Sequence, residues 1–429
     1  MRRLILTLFV SFSLVAAAQN ADQRIGELIN TEDWFQLNDE YPKLKDSLQL
    51  DYLKPMAEAM LALHFNRPEE AVASIGDLLV NYSGQIGSAA LNFALLRLQT
   101  IGELGRYAEA ADGLKAISDQ LPEVGSIAAT YSYYNALRNI PPMSVSRPQS
   151  DVAVPFHLQE YKAKKREPWM REGKRKFKGY HMTVPVTIHG IEKPFVFDAG
   201  AEATFITEKT AHELGVRILP DTITLNGTQK GLRAYIDSMR VGDIVCRNMV
   251  VYVGLPTMLD SIADGFEAAL GLDFIKAVGV TQILFDQGRI VFPAHYPNDS
   301  EERNLCLGVG LMMRAERDSI PLLINFDSGC TTAELYDGYY RKFASEVDAV
   351  AVKDTVTTGY YGNVSNVEVK LLPEFTFTVG KTTVTLYEME VYPPSDAVLQ
   401  SCDGRMGMSL IRRFHRTTIN LNDMNVMFE

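Results

Sequence analysis

The chain has 429 residues, enough for two or three domains, and its 46% apolar content suits a globular protein with buried cores. A net charge of −11 argues against nucleic acid as a partner. The four cysteines, Cys246, Cys306, Cys330 and Cys402, include no C-x-x-C pair, which argues against a redox motif or a thiolate zinc site; they allow three disulfide pairings, and the sequence does not choose among them.

Residues 1–18 read as a signal peptide. Met1-Arg2-Arg3 supplies the basic start, Leu4 to Val15 the apolar run and Ala16-Ala17-Ala18 the small-residue cleavage site. The apolar run falls short of the ~20 residues of a membrane span. The expectation is an exported protein, periplasmic or extracellular, with no membrane span in its mature form.

Residues 19–145 read as an all-α, repeat-like domain. Leu53, Met56, Met60, Leu61 and Leu63 follow a 3.6-residue period, a break at Asn66-Arg67-Pro68 ends that helix, and another starts near Glu70. Phe65-Asn66-Arg67-Pro68-Glu69-Glu70-Ala71 returns 39 positions later as Leu104-Gly105-Arg106-Tyr107-Ala108-Glu109-Ala110. Paired helices at that period resemble tetratricopeptide-type repeats; an ordinary helical bundle explains them equally well. The segment shows no acid–base cluster, so it reads as a spacer or a docking surface for a protein partner.

Residues 146–178 read as a linker, polar and proline-bearing first, then basic at Lys162 to Arg166 and Arg171 to Lys178. The basic run suits a solvated connection; contact with an acidic surface or a processing site is the alternative.

From Tyr180 the period becomes two. His181 to Ile188 alternates, Gly190 turns, and Pro194 to Phe197 runs back into Asp198-Ala199-Gly200-Ala201. A buried strand thus delivers a carboxylate to a tight turn, where glycine lets the backbone reverse. Ile223-Thr224-Leu225-Asn226-Gly227-Thr228 then carries an Asn-Gly hairpin signal. The turn design returns as Leu323-Ile324-Asn325-Phe326-Asp327-Ser328-Gly329-Cys330, and Thr357-Thr358-Gly359-Tyr360-Tyr361-Gly362 occupies the place of the first hairpin.

Two further features follow each turn in the same order. Ala269-Leu270-Gly271 places its glycine 73 positions after Asp198, and Arg405-Met406-Gly407 places its glycine 80 after Asp327. Closing strand pairs end at Phe292 and Phe428, each 21 positions beyond its glycine. An ordered triple occurring twice is an internal repeat.

This combination resembles the retropepsin and pepsin aspartic proteases, over roughly residues 175–429. The resemblance implies an all-β, two-lobed acid-protease double barrel, with lobe 1 over 179–297 and lobe 2 over 304–429. It implies Asp198 and Asp327 as catalytic residues, Ala199, Gly200, Ser328 and Gly329 as the active-site turns, and Gly227, Thr228, Gly359 and Tyr360 as flap or substrate-binding positions. Tyr360 or Tyr361 then forms a wall of a peptide cleft, or simply packs its hairpin. Two close carboxylates share one proton, and a water between them attacks a peptide bond. No metal or cofactor is implied.

Two departures stand out. Ser328 keeps the hydroxyl usual after the Asp, whereas Ala199 lacks it, at ~1 kcal/mol for one hydrogen bond. Pepsin-like enzymes also carry a Ser hydroxyl three positions after the Asp; here stand Ala201 and Cys330. Other catalytic designs fail: His212-Glu213 has Val216 where a zinc site needs its second His, and Gly407-Met408-Ser409 lacks the last glycine of a nucleophile elbow. The leading expectation is an aspartic endopeptidase acting on a peptide or protein substrate. The alternatives are a catalytically impaired peptide-binding module on the same fold, or a scaffold whose β part is only structural.

Overall fold

The computed structural model describes residues 19–161, 179–225, 229–255, 267–297, 302–360, 363–394 and 402–429. The expected signal peptide, the basic runs of 162–178, Asn226-Gly227-Thr228 and Tyr361-Gly362 lie outside them. The chain divides into two compact units, residues 1–143 and 144–429. Among the described residues no helix is long and apolar enough to cross a membrane.

The first unit is helical. Leu53–His64 and Pro68–Ile86 form one pair, Ala89–Glu103 and Tyr107–Gln120 the next. The two connections are built alike. Asn66 (φ 56°) and Gly105 (φ 78°) take left-handed conformations, the N–H of Arg67 bonds back to the Ala62 carbonyl, and that of Arg106 to the Ile101 carbonyl. These are the six-to-one bonds of a Schellman cap. Arg67 pairs with Glu70 at 2.6 Å and Arg106 with Glu109 at 2.7 Å. The 39-residue recurrence therefore marks a repeated turn. Ile101, Ala110, Ala111, Leu114, Ile127 and Tyr134 are buried together as core.

The second unit is a β body. Its described strands make three sheets of nine, five and eight strands. In the first, Gly179–Ile188 and Ile191–Phe197 form a hairpin through His189 (φ 51°) and Gly190 (φ 79°), the two positive-φ residues that match a strand pair's right-handed twist. Phe195, Val196 and Phe197 are buried, and Ala268–Leu270 runs parallel beside them. The eight-stranded sheet repeats this arrangement: Leu311–Arg317 and Ile320–Phe326 are antiparallel, and Gly404–Met406 lies parallel to the latter. The closing strands of the two copies meet in the five-stranded sheet, where Val280–Leu284 pairs with Arg416–Asn420. Each sequence copy is thus a lobe.

One segment departs from the sequence reading. The linker expected at 146–178 is, up to Tyr161, part of the β body. Ser144–Ser146 pairs with Ile244–Gly254, Val152–Pro155 with Arg289–Phe292, and His157–Tyr161 with Gly179–Ile188. The cause is a short period-two pattern within polar surroundings: Val152 and Val154 are buried, Ala153 and Pro155 exposed. Arg147 anchors the entry by donating to the Phe292 carbonyl at 2.9 Å.

Candidate active site

Each Asp turn hangs from the end of a buried strand and is tied by the same bonds. The Asp198 N–H donates to the Leu270 carbonyl at 3.0 Å, and the Asp327 N–H to the Met406 carbonyl at 2.9 Å. Oδ1 of Asp198 accepts the N–H groups of Gly200 (2.9 Å) and Ala201 (3.1 Å). Oδ1 of Asp327 accepts those of Gly329 and Cys330, both at 2.9 Å. One oxygen of each carboxyl is thereby fixed. The two glycines of the later motif lock the turns from behind. A Cβ on Gly271 would stand 2.4 Å from the Ala203 backbone, and one on Gly407 would stand 2.1 Å from the Cys330 carbonyl oxygen. Only glycine allows that approach.

The lobes bring the turns face to face. A Cβ on Gly200 would lie 2.3 Å from the Asp327 carboxyl carbon, and one on Gly329 would lie 2.3 Å from that of Asp198. Each carboxyl thus rests on the opposite turn's glycine, close enough that the charge of Asp327 acts on Asp198. Ser328 stitches the turns together: its buried hydroxyl accepts the Ala199 N–H at 2.9 Å and donates to the Phe197 carbonyl at 2.8 Å. Ala199 is fully buried and returns no such bond. The stitch runs one way.

Burial, and next the negative charge of Asp327, hold the Asp198 carboxyl well above the usual carboxylate range; the N–H groups of Gly200 and Ala201 pull the other way. Burial likewise pushes the Cys330 thiol up to about 12, so it stays a neutral thiol. The structure thus brings together Asp198, Ala199 and Gly200 with Asp327, Ser328 and Gly329. Gly227 and Thr228 lie outside the described residues, between the paired strands Arg217–Leu225 and Gln229–Val241. Gly359 and Tyr360 end the strand Val352–Tyr360, paired with Val364 and Asn363.

Sequence reasoning missed several neighbours of the dyad. His181 bonds to the Gly329 backbone and feels the charge of Asp327, but burial dominates and lowers its pKa, which favours the neutral ring. Nothing in its position on an alternating strand signals this. Arg405 reaches Asp327 Oδ2 at 3.6 Å through Nη1, while Nη2 donates to both oxygens of Glu334 at 3.0 and 2.9 Å. Glu334 also accepts from Tyr336 (2.8 Å) and Thr332 (3.2 Å). The signal was present: opposite charges interrupt two otherwise apolar strands, Ala333–Leu335 and Gly404–Met406. Lobe 1 differs there. Thr204 donates its hydroxyl to Asp273 at 2.8 Å, and its Oγ1 accepts the Gly271 N–H at 3.1 Å. Ala333 and Ser409 hold the matching positions in lobe 2.

Residues 184–274, which span the first Asp turn and Gly271, match the family model described as Aspartyl protease. Among solved structures the chain is similar to a retropepsin-like aspartic protease from Rickettsia conorii, at 17% identity over 35% of this chain and 90% of that one, with a TM-score of 0.21. No curated protein matches. The family match and the barrel-like sheets agree with an acid-protease-type fold that follows a helical region in the chain.

Proposed function

We propose that the protein is an aspartic endopeptidase whose dyad is Asp198 and Asp327. The observation that carries this reading is the face-to-face carboxyl pair, each held by two backbone N–H groups and seated on the opposite glycine. The aspartyl protease match over 184–274 supports peptidase activity in general.

At one proton per dyad, the ionised carboxylate takes a proton from water as the water oxygen bonds to the peptide carbonyl carbon. The protonated carboxyl gives its proton to the carbonyl oxygen, so the tetrahedral intermediate forms neutral. In the return step the amide nitrogen takes the proton that came from water, the C–N bond breaks, and a hydroxyl proton of the intermediate goes back to the other carboxyl. The dyad ends as it began. Residues 227–228 and 359–360 are proposed as flap positions over the substrate, the helical unit as a docking surface for a protein partner, and the protein as exported.

Digestion of a peptide library by the purified protein tests the reading, alongside inhibition by a peptide carrying a hydroxyethylene group in place of the scissile bond. Such a group mimics the tetrahedral intermediate and should bind far more tightly than substrate, by ~10²-fold or more. Cleavage that this compound leaves untouched would count against the dyad.

A further inference from the structure

The backbone around the dyad is close to two-fold symmetric, which by itself would make the two carboxyls equivalent. The charges around them are not symmetric. Beside Asp327 stands the guanidinium of Arg405, 3.6 Å from Oδ2. Its counterpart in lobe 1, two positions before the glycine, is the buried Ala269. The groups facing Asp327 are Asp198 after the strand Ile191–Phe197, His181 on Gly179–Ile188 and Arg405 on Gly404–Met406. Around Arg405 lie Glu334, Tyr336 and the neutral Cys330 thiol, and that thiol is near Asp327 as well. The largest charge effect on Asp198 is that of Asp327.

We propose that Arg405 is a positioning residue that breaks the symmetry of the dyad, fixing the negative charge on Asp327 and the shared proton on Asp198. The assignment deepens the endopeptidase reading and rests on it for its catalytic meaning: Asp327 becomes the base toward water and Asp198 the acid toward the carbonyl oxygen.

The geometry explains why both members of the Arg405–Glu334 pair matter. The guanidinium lies between two carboxylates, with its bonds to Glu334 shorter than its approach to Asp327. Glu334 balances the buried cation and fixes its plane, because a buried unpaired charge is costly. It also weakens the field that reaches Asp327. A cation within ~4–6 Å favours an ionised carboxylate, typically by one to three pKa units when nothing opposes it. The two residues therefore act on the dyad in opposite directions.

The test reads the carboxyls directly, in the full chain, by carbon NMR with aspartate labelled at its side-chain carboxyl. Asp198→Asn and Asp327→Asn assign the signals. Near pH 6 the wild-type spectrum should show Asp327 ionised and Asp198 protonated; the reverse order, or two equivalent signals, overturns the proposal. Glu334→Gln removes the opposing charge, so the pH at which the dyad takes up its second proton should fall by about one unit. Arg405→Met combined with Glu334→Gln removes both charges, and that pH should rise by a similar amount. Arg405→Lys should stay near wild type. A merely structural pair would leave the titration unmoved, or move it the same way in both variants. If the double variant fails to fold, the wild-type spectrum and Glu334→Gln still decide. A protein that shows this asymmetry yet cleaves no peptide loses the endopeptidase reading and keeps the charge assignment.

Discussion

The Ser328 hydroxyl accepts the Ala199 N–H at 2.9 Å and donates to the Phe197 carbonyl at 2.8 Å, so one side chain of lobe 2 satisfies two buried backbone groups of lobe 1. Ser328→Ala leaves both groups unpaired. The expected cost is about 1–3 kcal/mol, read as a lower denaturant midpoint with an unchanged slope. No loss would mean that the lobes are held together elsewhere.

The missing return bond makes a complementary prediction. Ala199→Ser adds a hydroxyl at the symmetric position and should add about 1 kcal/mol. Thermal melts beside wild type check this. A lower midpoint would show that the fully buried Ala199 site has repacked around the methyl group.

Gly329→Ala places a Cβ 2.3 Å from the Asp198 carboxyl carbon, and Gly200→Ala does the same to Asp327. Either change must push the opposing carboxyl out of line. A displacement near 1 Å can cost roughly 100-fold in rate, so peptide cleavage should fall by that factor or more while a cooperative melt persists. Full activity would show that the two turns are not in contact in solution.

The buried proton on Asp198 sets a pH dependence. Its folded pKa is raised, by burial first and the charge of Asp327 next; unfolded Asp titrates near 3.9. Between those two values the folded chain holds a proton that the unfolded chain has released, so stability falls as pH rises through that window. Asp198→Asn removes the penalty and keeps an oxygen for the Gly200 and Ala201 N–H groups. It should stabilise the protein by about 1–3 kcal/mol at pH 7–8 relative to its effect near pH 3. Equal effects at both pH values would contradict this. If the dyad cleaves peptides, the same raised proton, with Ala201 and Cys330 offering no hydroxyl, should place a bell-shaped rate profile at mild acidity, roughly pH 5–6.5, which rates on one peptide from about pH 2 to 8 check.

Much of the site was legible because it is local. A buried strand ending in Asp-x-Gly can be read at Phe197-Asp198 and Phe326-Asp327, and Gly271 and Gly407 mark close approach at matching distances along the chain. The strands at Ser144–Ser146 and Val152–Pro155 were not legible, because they are short and their partners, Ile244–Gly254 and Arg289–Phe292, lie far along the chain. Arg405 looked like one charge among many until pairing set Glu334 beside it and Asp327 within 3.6 Å. Local pattern names the strands; long-range pairing decides which side chains meet.

These early strands also change where the chain can be cut. Deleting residues 19–143 should leave a folded β body, because Ser144–Ser146 keeps its place beside Ile244–Gly254. Deleting 19–161 removes three paired strands and should give a fragment that aggregates or melts well below the first. Indistinguishable melting of the two fragments would mean these strands contribute nothing.

Whether Asp198 and Asp327 form one catalytic dyad is decided by peptide cleavage by the wild-type chain, Asp198→Asn and Asp327→Asn at mildly acidic pH. A one-dyad site turns peptide over in the wild type and loses about 10²–10⁴-fold in each variant, with both variants still folding cooperatively. A folded single variant that cleaves as fast as wild type would contradict it.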